Sequence, residues 1–328
     1  MLVAELSAIG PAHEVVRAIE VPDLGKPAPG RVVVRMAACS INPADLLLIE
    51  GRYATLPDVP SRLGIEGTGT IEAVGDGVDH LAPGDTVLSL GRTNWARHID
   101  AGAHEVVKLP AGVDVEQAAM LKVNGATAWR MLKDYVTLTA GDWVIQDAAN
   151  SGVGINLIRL AAAEGIRSIN VVRRPELIEP LMDQGADVVI VDGEDLPERV
   201  RDATGGGEVK LAIDAVSGPI VARLADCLDE GGVVVNYGLL SGRNCELTSE
   251  QVVFKSITLT GFWLAKIMRG MAYDDIAAMY GALAARIVDG TIAVPVEARY
   301  PLADIQDALR HAGTYGRGGK ILLRPDAG

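Results

Sequence analysis

The chain has 328 residues, a formal net charge of −13 at pH 7, 49% hydrophobic and 22% charged residues. Roughly 100–200 residues make one domain, so this length predicts two, and the composition excludes a disordered, collagenous or low-complexity chain. The acidic balance excludes general nucleic-acid binding, which needs a basic footprint, and no apolar run approaches the ~20 residues that span a membrane. Cys39, Cys227 and Cys245 are scattered and odd in number, which fits neither a disulfide framework nor a structural zinc cluster. The N-terminus has no basic residue before Arg17 and no apolar run behind it, so it lacks the marks of a signal or transit peptide. A cytoplasmic protein in a reducing compartment is expected.

In chain order, residues 31–42 (RVVVRMAACSIN) predict a strand entering a loop, 67–78 short strands between Gly turns, and 81–90 a Pro-Gly-Asp turn followed by a strand. Residues 104–110 predict another short strand, stopped by Pro110. Short strands with Gly and Pro punctuation indicate an antiparallel or barrel-like domain. The texture changes near residue 114, where Asp114 is an N-cap candidate for a helix over 114–132. Then follow strand 141–148, helix 152–165, strand 168–173, helix 175–185 and apolar strands at 186–192, 209–216 and 231–238, closed by 257–263. This β/α alternation predicts a doubly wound parallel sheet with helices on both faces. The tail has a helix over 273–288 and a strand at 319–325, and is too short for a separate domain. The expected division is therefore 1–115 with 262–328 as one domain and 116–261 as the other.

WVIQDAANSGVG, residues 143–154, runs from a strand through a glycine-containing turn into a helix. Backbone N–H groups at such a helix start face the phosphates of a dinucleotide, and glycines let the phosphates approach. Ala149 and Ser151 stand in the first two glycine places, and Gly152 and Gly154 remain. The same turn also serves as a plain strand–helix connection. At the end of the next strand, where an acidic residue would hold a ribose 2′-hydroxyl, Arg173 and Arg174 stand instead. Two guanidinium groups suit a 2′-phosphate and favour NADP. His13, His80, His98, His104 and His311 are dispersed, and no set of residues has zinc-ligand spacing. Tyr53, in the first-domain loop, has the chemistry of a proton donor, although most tyrosines simply pack.

Taken together, the segments INPADLLLIEGRY, GIEGTGTIEAVGDGV, LAPGDTVL, AANSGVG and GKILL resemble the medium-chain dehydrogenase/reductase superfamily in its zinc-free branch. The resemblance implies a Rossmann-type domain beside a GroES-like β-rich catalytic domain. The zinc-binding His of that superfamily falls on Ile65, and a cysteine ligand's place falls near Asn42. Within the branch the chain is more similar to the mitochondrial-type trans-2-enoyl-thioester reductases than to quinone oxidoreductases. The matches are residues 150–154, 170–173, 237–239 and 261–264; Leu239 and the Arg174-Pro175 pair depart from the pattern.

By position, the resemblance implies cofactor contacts at Asn124, Asn150, Ser151, Gly152, Val153, Gly154, Arg173, Arg174, Tyr237, Gly238, Leu239, Leu240, Phe262, Trp263, Leu264 and Lys320, and a proton-donating Tyr53. It implies no metal, NADPH as cofactor, a small-molecule substrate and a homodimer. The expected activity is reduction of the C2–C3 double bond of a 2-enoyl thioester. An NADPH:quinone oxidoreductase is the near alternative, and a non-catalytic NADPH-binding protein the more distant one. Of the remaining groups, Asp214 reads as a turn or cap residue, Glu66 as a support of the fold, Cys39 as a buried small residue, and Lys266 and Arg269 as a solvated basic face.

Overall fold

Apolar strands that are buried on both faces favour parallel pairing with helices above and below, and residues 125–270 follow that rule. The computed structural model describes residues 1–326. Its chain divides into two compact units, Gly125–Gly270 and a second unit of Met1–Asn124 with the segment from Met271 onward.

In the first of these, β1 (Trp143–Gln146), β2 (Arg167–Val172), β3 (Val188–Val191), β4 (Val209–Asp214), β5 (Val233–Asn236) and β6 (Thr258–Gly261) pair in the order β3-β2-β1-β4-β5-β6. Every pairing is parallel. All strands therefore end at the same edge of the sheet. The order reverses between β1 and β4, the switch point outside which open α/β sheets bind ligands. Central β1 is buried at every residue. Helix α1 (Gly152–Ala163) buries Val153, Ile155, Leu157, Ile158 and Leu160. Trp143, Ile145, Ile169, Val171, Ala212, Leu224 and Val234 belong to the core of this unit.

The other unit carries a seven-stranded sheet. Its longest strand, Arg31–Ser40, pairs antiparallel with Gly67–Val74, with His98–Gly102 and with the C-terminal Lys320–Arg324. Lys320–Arg324 in turn pairs parallel with Val296–Pro301. The tail thus completes the sheet begun by the N-terminal segment. A smaller sheet joins Leu2–Leu6 to Val16–Glu20 and Ser61–Arg62.

One expected element differs. The predicted helix over 114–132 is broken: Asp114 caps a short helix Val115–Ala118, Leu121–Gly125 forms a π-helical turn, and Ala126–Asp134 resumes the α-helix. The side chains of Lys122 and Asn124, both in the π turn, bond to groups outside the helix. Such turns cluster at functional sites because they rotate side chains out of α register.

Candidate active site

The C-terminal edge of the parallel sheet collects most of the residues singled out in the sequence. Asn150 to Gly154 follow β1, Arg173 and Arg174 follow β2, Tyr237 to Leu240 follow β5, and Phe262 to Leu264 follow β6. Ser151 caps α1, its hydroxyl accepting from the Gly154 N–H at 3.0 Å. Gly154 is required by packing: a Cβ there would lie 2.5 Å from the Ala149 carbonyl oxygen and 2.7 Å from its Cα. Ala148, just before the turn, has φ of 45°, a left-handed conformation that a side chain disfavours and that functional turns often keep. Below the turn, Gln146 donates to the Gly154 carbonyl at 2.9 Å and to Asn170 Oδ1 at 2.8 Å, locking the turn to β2.

Arg173 is exposed, and Arg174 lies 3.4 Å from Glu176. The 237–241 segment folds back on the end of β4. Leu240 N–H donates to Ala215 O at 3.1 Å, and a Cβ on Gly238 would meet that same carbonyl oxygen at 2.5 Å. Burial pushes the Tyr237 phenol up. Leu239 and Leu240 are exposed, and Phe262 is buried edge-on to Tyr135 at 6.5 Å.

At the switch point Asp147 directly follows β1 and Asp214 ends β4, and both are buried. Asp214 Oδ1 accepts from Val216 N–H at 3.0 Å and Ser217 N–H at 2.9 Å, and its other oxygen accepts from Asn236 at 2.5 Å. Asp147 Oδ1 accepts from Ala215 N–H at 2.7 Å, while its Oδ2 is buried with no donor to accept from. Burial first, and then the neighbouring Asp214 carboxyl, raises the Asp147 carboxyl well above its usual range.

In the other unit, Asn124, Lys320 and the acid Glu66 meet in one buried network. Glu66, fully buried, accepts on Oε1 from Ser40, from Asn42 at 2.7 Å and from Asn124 at 3.0 Å. Its Oε2 accepts from Val123 N–H at 2.7 Å. Asn42 Oδ1 accepts from Asn124 at 3.1 Å and from the Lys320 ammonium at 2.5 Å. Lys320 also donates to Ile41 O at 3.0 Å, so its charge is turned into the protein. Asp45 ties the two loops that carry Asn42 and Glu66, accepting from Asn42 N–H at 2.9 Å and Ile65 N–H at 3.0 Å; burial raises it to about 6. Lys122 donates to Ile65 O, Leu90 O and Gly91 O at 2.5, 2.7 and 2.6 Å, and burial lowers it to about 7. Lys320 is lowered to about 8 by burial.

Sequence reasoning passed over Ser40, Asp45, Lys122 and Asp147. Each stands alone among neighbours of unrelated type, and only the fold gives it partners. Tyr53 lies on the loop after helix Pro43–Ile49, half-buried against the core, with the Arg92 guanidinium 5.6 Å from its ring centre. It is not part of the Glu66 hydrogen bonds described above.

The residues around Glu66 do not fit a zinc ion. They are a hydroxyl, two amides and the Lys320 ammonium, and the carboxylate is already saturated by four donors. Zinc sites in proteins use His, Cys and carboxylate donors, and a cation beside Asn42 opposes a dication. Among the described residues, no group of three or more His, Cys, Asp or Glu is placed to hold a metal ion.

Fold and site together define a dinucleotide-binding oxidoreductase scaffold of the alcohol dehydrogenase type. Residues 28–148 match the family model of the alcohol dehydrogenase GroES-like domain, and residues 152–281 that of zinc-binding dehydrogenases. The mitochondrial enoyl-[acyl-carrier-protein] reductase of Xenopus tropicalis is 35% identical over 298 residues, covering 88% of this chain and 85% of that one. The Homo sapiens relative of the same name is 36% identical over 285 residues, covering 85% and 76%. Among solved structures, Escherichia coli quinone oxidoreductase complexed with NADPH superposes with a TM-score of 0.88 at 28% identity, covering 99% of this chain and 100% of that one. The Etr1p/NADP/crotonyl-CoA complex gives 0.89 at 25% identity, covering 98% of this chain and 99% of that one. The chain belongs to the medium-chain dehydrogenase/reductase family, in the branch that contains the mitochondrial-type enoyl reductases.

Proposed function

We propose that this chain is an NADPH-dependent, zinc-independent reductase of the C2–C3 double bond of α,β-unsaturated carbonyls, acting on 2-enoyl thioesters. The observation that carries the reading is the match to enoyl reductases over 85% of the Xenopus relative's length. NADPH, when bound, supplies the hydride that reaches the β-carbon. The chain's own residues do the rest. Backbone N–H groups at the start of α1 face the pyrophosphate, and Arg173 and Arg174 hold the 2′-phosphate. The network fixes the Asn124 amide with its nitrogen toward Glu66 and Asn42, so its oxygen serves as an acceptor for the cofactor. As the hydride arrives, negative charge develops on the carbonyl oxygen, and Tyr53 then gives its proton to the α-carbon.

The test is Tyr53→Phe assayed with crotonyl-CoA and NADPH. A proton donor of this kind is worth ~10²–10⁴ in rate, so turnover falls by at least that lower bound. Unchanged turnover removes Tyr53 from the acid role. Quinone reduction is the second reading, favoured by the likeness to the Escherichia coli quinone oxidoreductase; it uses the same cofactor edge and needs no protonation at carbon.

A homodimer and a reducing compartment belong to the same reading. Strand β6 is an edge of the six-stranded sheet, and the helix before it exposes Val252, Val253 and Phe254, the last 78% accessible. An open edge beside an apolar patch supports pairing with a second copy, which light scattering of the purified protein tests. Cys39, Cys227 and Cys245 are free thiols. Among the described residues, no helix is long and apolar enough to cross a membrane.

A further inference from the structure

Two arginines flank Tyr53. Arg52, its sequence neighbour, is paired with Glu50 at 3.4 Å. Arg92 comes from a distant loop and places its guanidinium 5.6 Å from the Tyr53 ring centre. No carboxylate among the described residues forms an ion pair with it. The loop that presents Arg92 is held from both sides. Lys122 donates to the carbonyls of Leu90 and Gly91, at 2.7 and 2.6 Å. Asn94 Nδ2 donates to the carbonyls of Gly91 and Gly64, each at 2.9 Å. Leu90 N–H donates to Glu105 O at 2.8 Å, and Gly91 N–H to Ser89 Oγ at 3.1 Å. A surface arginine whose flanking backbone is tied this firmly is placed rather than merely tethered.

We propose that Arg92 is a positioning residue for Tyr53: it holds the phenol ring through its cation face and keeps a fixed positive charge beside the group that donates the proton. The inference rests on Tyr53 as proton donor. Its physical basis is twofold. A guanidinium within about 6 Å of a ring centre is attracted to the ring face, and more strongly as water is excluded. A cation already fixed beside the phenol favours the phenolate left as the proton departs and needs no reorganisation during reaction. Arg92 therefore acts through Tyr53 and on the chemical step, without contributing to cofactor binding.

The experiment is a double-mutant cycle of Arg92→Gln and Tyr53→Phe, with Arg92→Lys as the conservative variant, measured with crotonyl-CoA and NADPH. Cation–π contacts of this strength correspond to about a tenfold effect. Arg92→Gln lowers kcat about tenfold with KM for both substrates within twofold, and Arg92→Lys recovers most of the loss. In the Tyr53→Phe background, Arg92→Gln adds less than a twofold further change, because coupled residues are non-additive. Equal loss in both backgrounds, an effect confined to KM, or no effect overturns the role of Arg92. Unchanged turnover in Tyr53→Phe alone overturns the proton-donor assignment, and is read without any arginine variant.

Discussion

Glu66→Gln is the sharpest test of the buried network. The carboxylate takes three donors on Oε1 and the Val123 N–H on Oε2. A glutamine keeps one oxygen. If that oxygen serves Ser40, Asn42 and Asn124, the new NH₂ meets the Val123 N–H donor to donor. If it turns, three donors lose their acceptor. The change also removes the negative charge that Lys122 and Lys320 rely on against burial. Taking one partner from such a set costs about 3–5 kcal/mol. For a unit of this size each kcal/mol moves the melting temperature by about 2–4 °C, so the unit's transition falls by roughly 6–20 °C. Calorimetry measures the shift, and hydrogen exchange at Val123 reports the orphaned donor. A drop of less than ~2 °C with Val123 protection unchanged refutes the reasoning.

Other expectations follow from single contacts. Gly154→Ala places a Cβ 2.5 Å from the Ala149 carbonyl oxygen, a backbone clash that costs about 1–3 kcal/mol; it weakens NADPH binding at least about fivefold by fluorescence titration, and unchanged affinity contradicts the assigned turn. Arg173→Gln removes the charge-assisted bonds proposed to the 2′-phosphate, worth about 1.5–3 kcal/mol, so the preference for NADPH over NADH in kcat/KM falls by at least about tenfold. The folded protein holds Asp45 at about 6, above its usual 3.8, so it binds more protons than the unfolded chain between those values and its stability falls as pH rises through that window. Lys122, at about 7 against 10.5, binds fewer protons when folded, and its contribution rises with pH from 7 to 10.5. Melting temperatures across this alkaline range climb less steeply in Lys122→Met than in the wild type, and parallel curves count against the burial of that amine.

How much of this was legible in the sequence depends on how local the signal is. Strands β1 and β4 are buried on both faces, so their residues form continuous apolar runs with helical patterns between them. The turn at 148–154 is contiguous, and its strand–turn–helix setting could be read directly. The helix over 114–132 misled because its apolar spacing hides a π turn whose cause lies outside the helix, in groups that bond Lys122 and Asn124. The network is the hardest case. Ser40, Asn42, Glu66, Asn124 and Lys320 come from segments far apart in the chain, and no spacing rule links them. Position-by-position resemblance pointed to Asn124 and Lys320 as cofactor contacts, whereas the fold shows what holds them, a carboxylate and an amide of their own unit. Asp214 was readable as a turn residue because its Oδ1 accepts from the N–H groups two and three residues on. Its partner Asp147 was not, since one carboxyl at a strand end carries no mark of the other.

The central claim is the reduction of an enoyl thioester by NADPH, and the most direct measurement is steady-state loss of NADPH absorbance with purified protein. Crotonyl-CoA and longer enoyl-CoA substrates are offered beside a small quinone, with NADH as the cofactor control. Preferred turnover of enoyl-CoA with NADPH is expected, with saturated acyl-CoA as the product. Turnover of the quinone alone, or NADPH bound without oxidation by any acceptor, contradicts it.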